Sequence, residues 1–289
     1  MPRITLDNVI RIDYEYAARR ITDFIRTYVN DSGTTGAVIG LSGGVDSSVT
    51  AYLLVRALGR DNVVGLILPY KTTPPEDIRD AKYIAETLGI KYYYIDISNV
   101  RNAFAEAIPE FDEGNKVATG NLLPRIRMTI LYYFANKLNK VVAGTGDKSE
   151  LLIGYFTKYG DGGVDILPIG DLYKTQVRYL GKYLGLLDSI AFKPSSPRLW
   201  DGQTAEGELG VKYEDVDVIL HALVDYRMNI EQAVEATGKP LELVQAVWRR
   251  VINTEHKRRS PVVPRVSMRT LGLDWRMPIN RTGLSEFME

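Results

Sequence analysis

Residues 37–48 read AVIGLSGGVDSS. The apolar run Ala37 to Leu41 passes directly into Ser42-Gly43-Gly44. Asp46, Ser47 and Ser48 then open an apolar stretch that stops at Gly59. A short apolar run with glycine at its flank is a buried strand, and a longer stretch that ends in glycine is a helix. Paired glycines at such a turn let backbone N–H groups converge, and the helix N-terminus adds partial positive charge. The turn is therefore an anion cradle suited to phosphate or pyrophosphate. Ser42, Ser47 and Ser48 add hydroxyl donors. Asp46 would repel a bare phosphate, but fits if Mg²⁺ bridges it to phosphate oxygens. A plain glycine turn with an Asp cap is the bland alternative, and the strand-to-helix setting disfavours it. Neither G-x-x-x-x-G-K-[ST] nor G-x-G-x-x-G occurs. This excludes a Walker-type NTPase and the standard dinucleotide fingerprint.

Outward from this stretch, strand and helix alternate. Strands are expected at 63–69, 91–96 and 141–145. Pro74 and Pro75 before an acidic turn start a helix that ends at Gly89. A helix over 99–108 is followed by an irregular segment through Gly120, and a helix with an aromatic face starts at Pro124. Continuous apolar strands between helices predict an α/β fold, an open parallel sheet with helices on both faces. One amphipathic helix is expected over 7–30. The polar, Pro- and Gly-rich residues 193–210 read as a long mobile loop. Helices resume over 213–225, 229–236 and 241–256, and the chain is extended from Ser260. The whole of 1–289 is taken as one domain, with an α/β core at 36–190 and a C-terminal helical part at 211–289.

Composition narrows the function. Thirty-six Lys and Arg balance thirty-six Asp and Glu, so gripping a nucleic-acid backbone is not the main task. The basic run His256 to Arg259 lacks interleaved aromatics and reads as a solvated helix end. Without cysteine, disulfides, thiolate zinc sites, iron–sulfur clusters and a cysteine nucleophile are excluded. With only His221 and His256, a multi-histidine metal site is out of reach, and His221 is expected to be structural. No apolar run approaches the ~20 residues that span a bilayer, so the chain reads as cytoplasmic, with no membrane partner.

A second group of chemical residues follows the fourth strand. Strand carboxyl ends carry the ligands in an open α/β sheet, so GTGDKSE (144–150) should face the cradle. Thr145 can donate to a phosphate or ribose. Glu150 can share a metal with Asp46, although Asp147 and Glu150 also form a capping box. In the segment 156–178, Lys158, Asp161 and Asp165 stand among glycines, and Lys174 opens another helix. A lysine there can neutralise charge on a departing pyrophosphate.

SGGxDSS is the signature of the ATP pyrophosphatase, or PP-loop, superfamily. GTGDKSE, FTKYGDGGVD (156–165), LPIGDLYKTQVR (167–178), PSSPRLWDGQTAEGELGVKYEDVD (194–217) and EHKR (255–258) together resemble ammonia-dependent NAD synthetase, in its archaeal branch. The resemblance implies a Rossmann-like, adenine nucleotide alpha-hydrolase-like fold. It implies ATP-dependent amidation of deamido-NAD by ammonia through an adenylylated intermediate, giving NAD, AMP and pyrophosphate. It places ATP on Gly40, Leu41, Ser42, Gly43, Gly44, Val45, Asp46, Ser47, Thr145, Lys174 and Ser196, and Mg²⁺ on Asp46 and Glu150. Deamido-NAD falls to Arg125, Tyr132, Lys158, Asp165, His256 and Lys257, with Tyr132 stacking on the pyridine ring. Val117 stands where many relatives carry a second aromatic. Asp161 is expected to strip the proton from ammonium, and Lys174 to act with it in catalysis. A homodimer is implied, with the aromatic helix at its interface. With no cysteine for a glutaminase site, free ammonia or a separate glutaminase chain is expected as nitrogen source. The rivals are a PP-loop ligase with another acceptor, such as tRNA, and a nucleotide sensor without turnover.

Overall fold

The computed structural model describes residues 3–200 and 202–275. In chain order its elements are α1 (Leu6–Ile10), α2 (Tyr14–Asp31), β1 (Ala37–Gly40), α3 (Val45–Leu58), β2 (Val63–Ile67), α4 (Pro75–Leu88), β3 (Lys91–Tyr94), α5 (Ser98–Ala107), α6 (Lys116–Leu138) and β4 (Val141–Ala143). They are followed by α7 (Lys148–Ile153), α8 (Lys174–Tyr183), α9 (Asp188–Ala191), α10 (Ala205–Leu209), α11 (Tyr213–Leu220), α12 (Ile230–Thr237), α13 (Leu241–Asn253) and α14 (Glu255–Arg258).

The expected open parallel sheet is present. Its order is β3-β2-β1-β4, and every pairing is parallel. β1, β2 and β4 are almost wholly buried because helices cover both faces. β3 is an edge strand, which is why its KYYY has exposed ends and only half-buried middle residues. From β1 the chain winds outward through β2 and β3, then returns to β1's other side as β4. That reversal is a topological switch point, and a crevice opens there at the strands' carboxyl ends.

Three parts of the sequence reading need correction. The helix expected over 7–30 is two helices. Asp13 accepts the Tyr16 N–H at 2.9 Å and starts α2. The break has a packing reason: Val9 of α1 joins the core of the C-terminal helices, whereas Ala18, Ile25 and Val29 of α2 join the sheet core. Second, α6 begins at Lys116, capped by Asn115, and Pro124 lies inside it. An internal proline removes one helical hydrogen bond, and here that turn is buried, with Gly120 packed on Trp200. Third, the segment 193–210 is not wholly irregular, since it contains α10, capped by Thr204.

Helices stand where expected over 213–225 and 229–236, the first closing in a π-turn at His221–Asp225, whereas the helix expected over 241–256 breaks at Thr254. Residues 276–289, counted in the C-terminal part, lie outside the described residues. Among the described residues, no helix is long and apolar enough to cross a membrane.

Candidate active site

The crevice at the β1/β4 switch is a cleft of about 450 Å³. Gly40, Leu41, Ser42, Gly44, Val45 and Asp46 line it from β1 and the start of α3, and Thr145 and Glu150 face them from beyond β4. The turn's shape is set by its own residues. Gly43 has φ +76°, a conformation that favours glycine. Gly44 is the N-cap of α3. Ser47 does not line the cleft: its hydroxyl is buried, donates to Gly44 O at 3.1 Å and lies 3.0 Å from Ser42 Oγ. Ser48 binds the same carbonyl at 2.8 Å. The serines thus hold the backbone in the cradle conformation, and Ser42 is the one that faces the cleft.

Beside the cradle, Asp46, Asp147 and Glu150 bring carboxylate oxygens within 4.8 Å of one another. Lys174 Nζ sits among them, 2.7 Å from Asp46, 2.7 Å from Asp147 and 2.8 Å from Glu150. The Lys174 side chain has no exposed surface, so its donors face these acids and not the cleft. Burial alone would pull its ammonium down, but Asp147, Asp46 and Glu150 hold it well above the ordinary lysine value. Burial, reinforced by Asp147 and Asp46, likewise raises the Glu150 carboxyl well above its ordinary value despite Lys174.

The donor set fits a divalent cation. Three carboxylates against one ammonium leave a net charge of minus two when all are ionised, which one Mg²⁺ cancels. Asp46 Oδ1 is buried and has no hydrogen-bond partner, and an all-oxygen set suits Mg²⁺. Asp147 was legible only as a helix cap. It does cap α7, in the expected capping box with Glu150, and its carboxylate also joins the cluster.

The opposite wall comes from the 193–210 segment, with Lys193, Ser196, Arg198, Trp200 and Gln203 on the cleft. Ser196 Oγ donates to Gln203 O at 2.5 Å. Lys193 and Arg198 both pair with Asp77 of α4, at 2.5 and 2.9 Å. Sequence reasoning passed over Asp77, Lys193 and Arg198, whose meeting depends on residues more than a hundred positions apart.

Of the residues expected to meet deamido-NAD, only Lys257 lines the cleft, together with Asp161, the expected proton acceptor. Asp161 accepts the Thr157 N–H at 2.8 Å. Desolvation by the surrounding cleft wall raises its carboxyl above the ordinary aspartate value, with Lys257 and Arg127 among the groups opposing the rise, and the exposed position of the residue keeps that rise modest. Lys257 Nζ donates to the Gly154 and Phe156 carbonyls at 2.7 Å. Arg127, which sequence reasoning missed, also lines the cleft; it donates to Leu68 O at 3.0 Å, and burial lowers its guanidinium to about 10. Arg125, Tyr132, Lys158, Asp165 and His256 stand outside the cleft lining. Tyr132 Oη donates to Asp165 Oδ1 at 3.0 Å, and Asp165 Oδ2 accepts the Val142 N–H at 2.7 Å. Arg125 donates to Lys158 O at 3.3 Å. Val117 reaches the cleft edge and is 68% exposed, so it offers a ring little cover.

Comparison with known proteins gives a consistent result. The family described as NAD synthase matches residues 17–261. An NH(3)-dependent NAD(+) synthetase of Hyperthermus butylicus is 54% identical over 263 residues, 91% of this chain and 95% of that protein. Among solved structures, NMN synthetase from Francisella tularensis superposes with a TM-score of 0.77 at 34% identity, covering 88% of this chain and 99% of the other. NH3-dependent NAD synthetase from Campylobacter jejuni, in complex with nitrate, gives 0.75 at 31%, covering 88% of this chain and all of the other.

Proposed function

The chain belongs to the NAD synthase family, and on that premise we propose that it amidates deamido-NAD with ammonia, using ATP and releasing AMP and pyrophosphate, the last step of NAD biosynthesis. The observation that carries this reading is the meeting, at one strand switch point, of a glycine cradle for phosphates and an acid cluster whose oxygens suit the divalent cation that ATP brings.

The nicotinate carboxylate attacks the α-phosphorus of ATP, and pyrophosphate leaves. The backbone N–H groups at Gly43 and Gly44, with Ser42 and Thr145, orient the phosphates along the N-terminus of α3. Asp46 and Glu150 would hold Mg²⁺, which would let phosphate oxygens approach the carboxylates without net repulsion. Lys174 keeps the three carboxylates from driving one another apart, so its part is to hold them rather than to touch phosphate. Interactions fixed in advance toward developing charge favour the transition state. Ammonia then displaces AMP from the mixed anhydride. Asp161, on the cleft wall, takes the proton that ammonium must lose. The wall of residues 193–200 shields the anhydride from water.

Arg125, Thr129 and Tyr133 form an exposed stripe along α6. Together with Lys158, Asp165 and Tyr132 outside the cleft, it supports a homodimer in which the dinucleotide's second half meets this face.

The likeness to the Francisella NMN synthetase favours one second reading, with a mononucleotide as acceptor. Purified protein with ATP, Mg²⁺, ammonium and either deamido-NAD or nicotinate mononucleotide tests both. NAD and AMP formed in equal amounts from the dinucleotide is the expected result. Preferential amidation of the mononucleotide would replace it, and no AMP with either acceptor would overturn both.

A further inference from the structure

The acid cluster is held from behind by a residue with no part in the chemistry above. Asp217 lies on α11, in the C-terminal helical layer, and is wholly buried. Its carboxylate accepts three hydrogen bonds. Ser149 Oγ donates to Oδ1 at 2.5 Å, and the Thr175 N–H and Oγ both donate to Oδ2, at 2.9 and 2.8 Å. Ser149 Oγ in turn accepts the Lys174 N–H at 2.9 Å. Ser149 precedes Glu150 on α7, and Thr175 follows Lys174 on α8. One carboxylate therefore joins the two helix starts that carry Glu150 and Lys174. Four residues earlier on the same helix, the buried ring of Tyr213 lies 5.3 Å from Lys174 Nζ. Residues at this spacing share a helix face, so one face of α11 supports both the backbone and the ammonium of Lys174.

None of the partners of Asp217 is a cation. Burial of a carboxylate without one is costly, and here it pushes the group up to about 7. An apolar residue of similar size would join the layers without that cost. What only a carboxylate with two oxygens does here is take donors from α7 and α8 at once.

We infer that Asp217 is a positioning residue for the metal–nucleotide site: through Ser149 and Thr175 it sets the spacing of Glu150 and Lys174. The inference rests on the reading of Asp46 and Glu150 as the cation's holders. Outer partners that orient metal ligands typically matter about 10- to 100-fold in metal affinity.

The test is Mn²⁺ binding, followed by the paramagnetic signal of the free ion, with α,β-methylene ATP present so that no turnover is needed. Asp217→Asn is compared with Val247→Ala, which weakens the same helical layer without touching this node. Asp217→Asn should raise the Mn²⁺ half-saturation about tenfold or more, while Val247→Ala, at an equal loss of Tm, stays near wild type. If Asp217→Asn does not fold, Ser149→Ala removes the hydroxyl link alone and should give the same direction. Equal binding by wild type and the folded variants would overturn the positioning role and leave the site reading standing. Equal weakening by Val247→Ala would overturn it too, as a stability effect. Absence of Mn²⁺ binding by wild type would overturn the site reading and this inference with it.

Discussion

The carbonyl of Asp77 closes directly over Gly43: a Cβ on Gly43 would lie 2.1 Å from Asp77 O. The phosphate cradle is therefore packed against the start of α4, and its positive φ is enforced from outside as well as by its own sequence. Gly43→Ala must both adopt φ +76° and push α4 away. A loss of about 1–3 kcal/mol in stability is expected from the backbone term alone, together with a large rise in KM for ATP. Thermal melts and initial rates check this; an unchanged KM would mean that the cradle does not hold ATP.

Lys174→Met leaves three close carboxylates with no cation. Breaking a buried ion pair by removing one partner costs about 3–5 kcal/mol. The sign with pH follows from the carboxyls. Burial already holds Glu150 and Asp147 above their ordinary values, so the folded variant binds protons more readily than the unfolded chain. Its deficit should shrink as pH falls below those raised values toward the ordinary carboxylate range, and grow above them. Urea melts at pH 5 and pH 8 measure it, and a deficit that is the same at both would refute the account. Added Mg²⁺ should restore part of the lost stability at the higher pH.

Local chemistry was readable in the sequence and long-range pairing was not. The β1 strand, the glycine turn, the start of α3, the Pro75 start of α4 and the Asp147–Glu150 box all follow from neighbouring residues. The N-terminal break at Asp13 was hidden because apolar spacing continues across it, while the two helices pack on different cores. The start of α6 was hidden because Pro124 is a stronger local signal than Asn115. Asp147 shows why a site can be half-read: its cap is local, but its place beside Asp46 and Lys174 comes only with the fold. Asp217 did leave a trace, as an acid inside the apolar run VDVIL, a pattern that asks for a buried partner.

Asp77 also pins the far wall of the cleft through Lys193 and Arg198. Asp77→Asn weakens both pairs at once and should open the segment more often. Trypsin reports this, because cleavage after Arg198 requires local opening, whereas Pro194 protects the bond after Lys193. Cleavage should be about tenfold faster or more, equivalent to about 1.4 kcal/mol in the opening equilibrium, and ATP with Mg²⁺ should slow it. Unchanged cleavage would show that other contacts, such as Thr72 Oγ1 to Arg198 O at 3.0 Å, hold the wall.

Asp161 separates the two halves of the reaction. Its Oδ1 is fixed by the Thr157 N–H, and its position on the cleft wall leaves it able to receive a proton. Asp161→Asn keeps the shape and loses the base. Turnover with ammonium should fall about 10²- to 10⁴-fold, while exchange of labelled pyrophosphate into ATP, which reads adenylylation alone, stays within a few-fold of wild type. In the wild type the base must be ionised, and desolvation by the cleft wall raises its pKa although the residue is exposed, so turnover should decline as pH drops through a value somewhat above that of ordinary aspartate. The variant should lack that acid limb. If Asp161→Asn abolishes pyrophosphate exchange as well, Asp161 serves substrate binding and the proton goes elsewhere. If it retains full turnover with the wild-type pH profile, Asp161 has no part in either step.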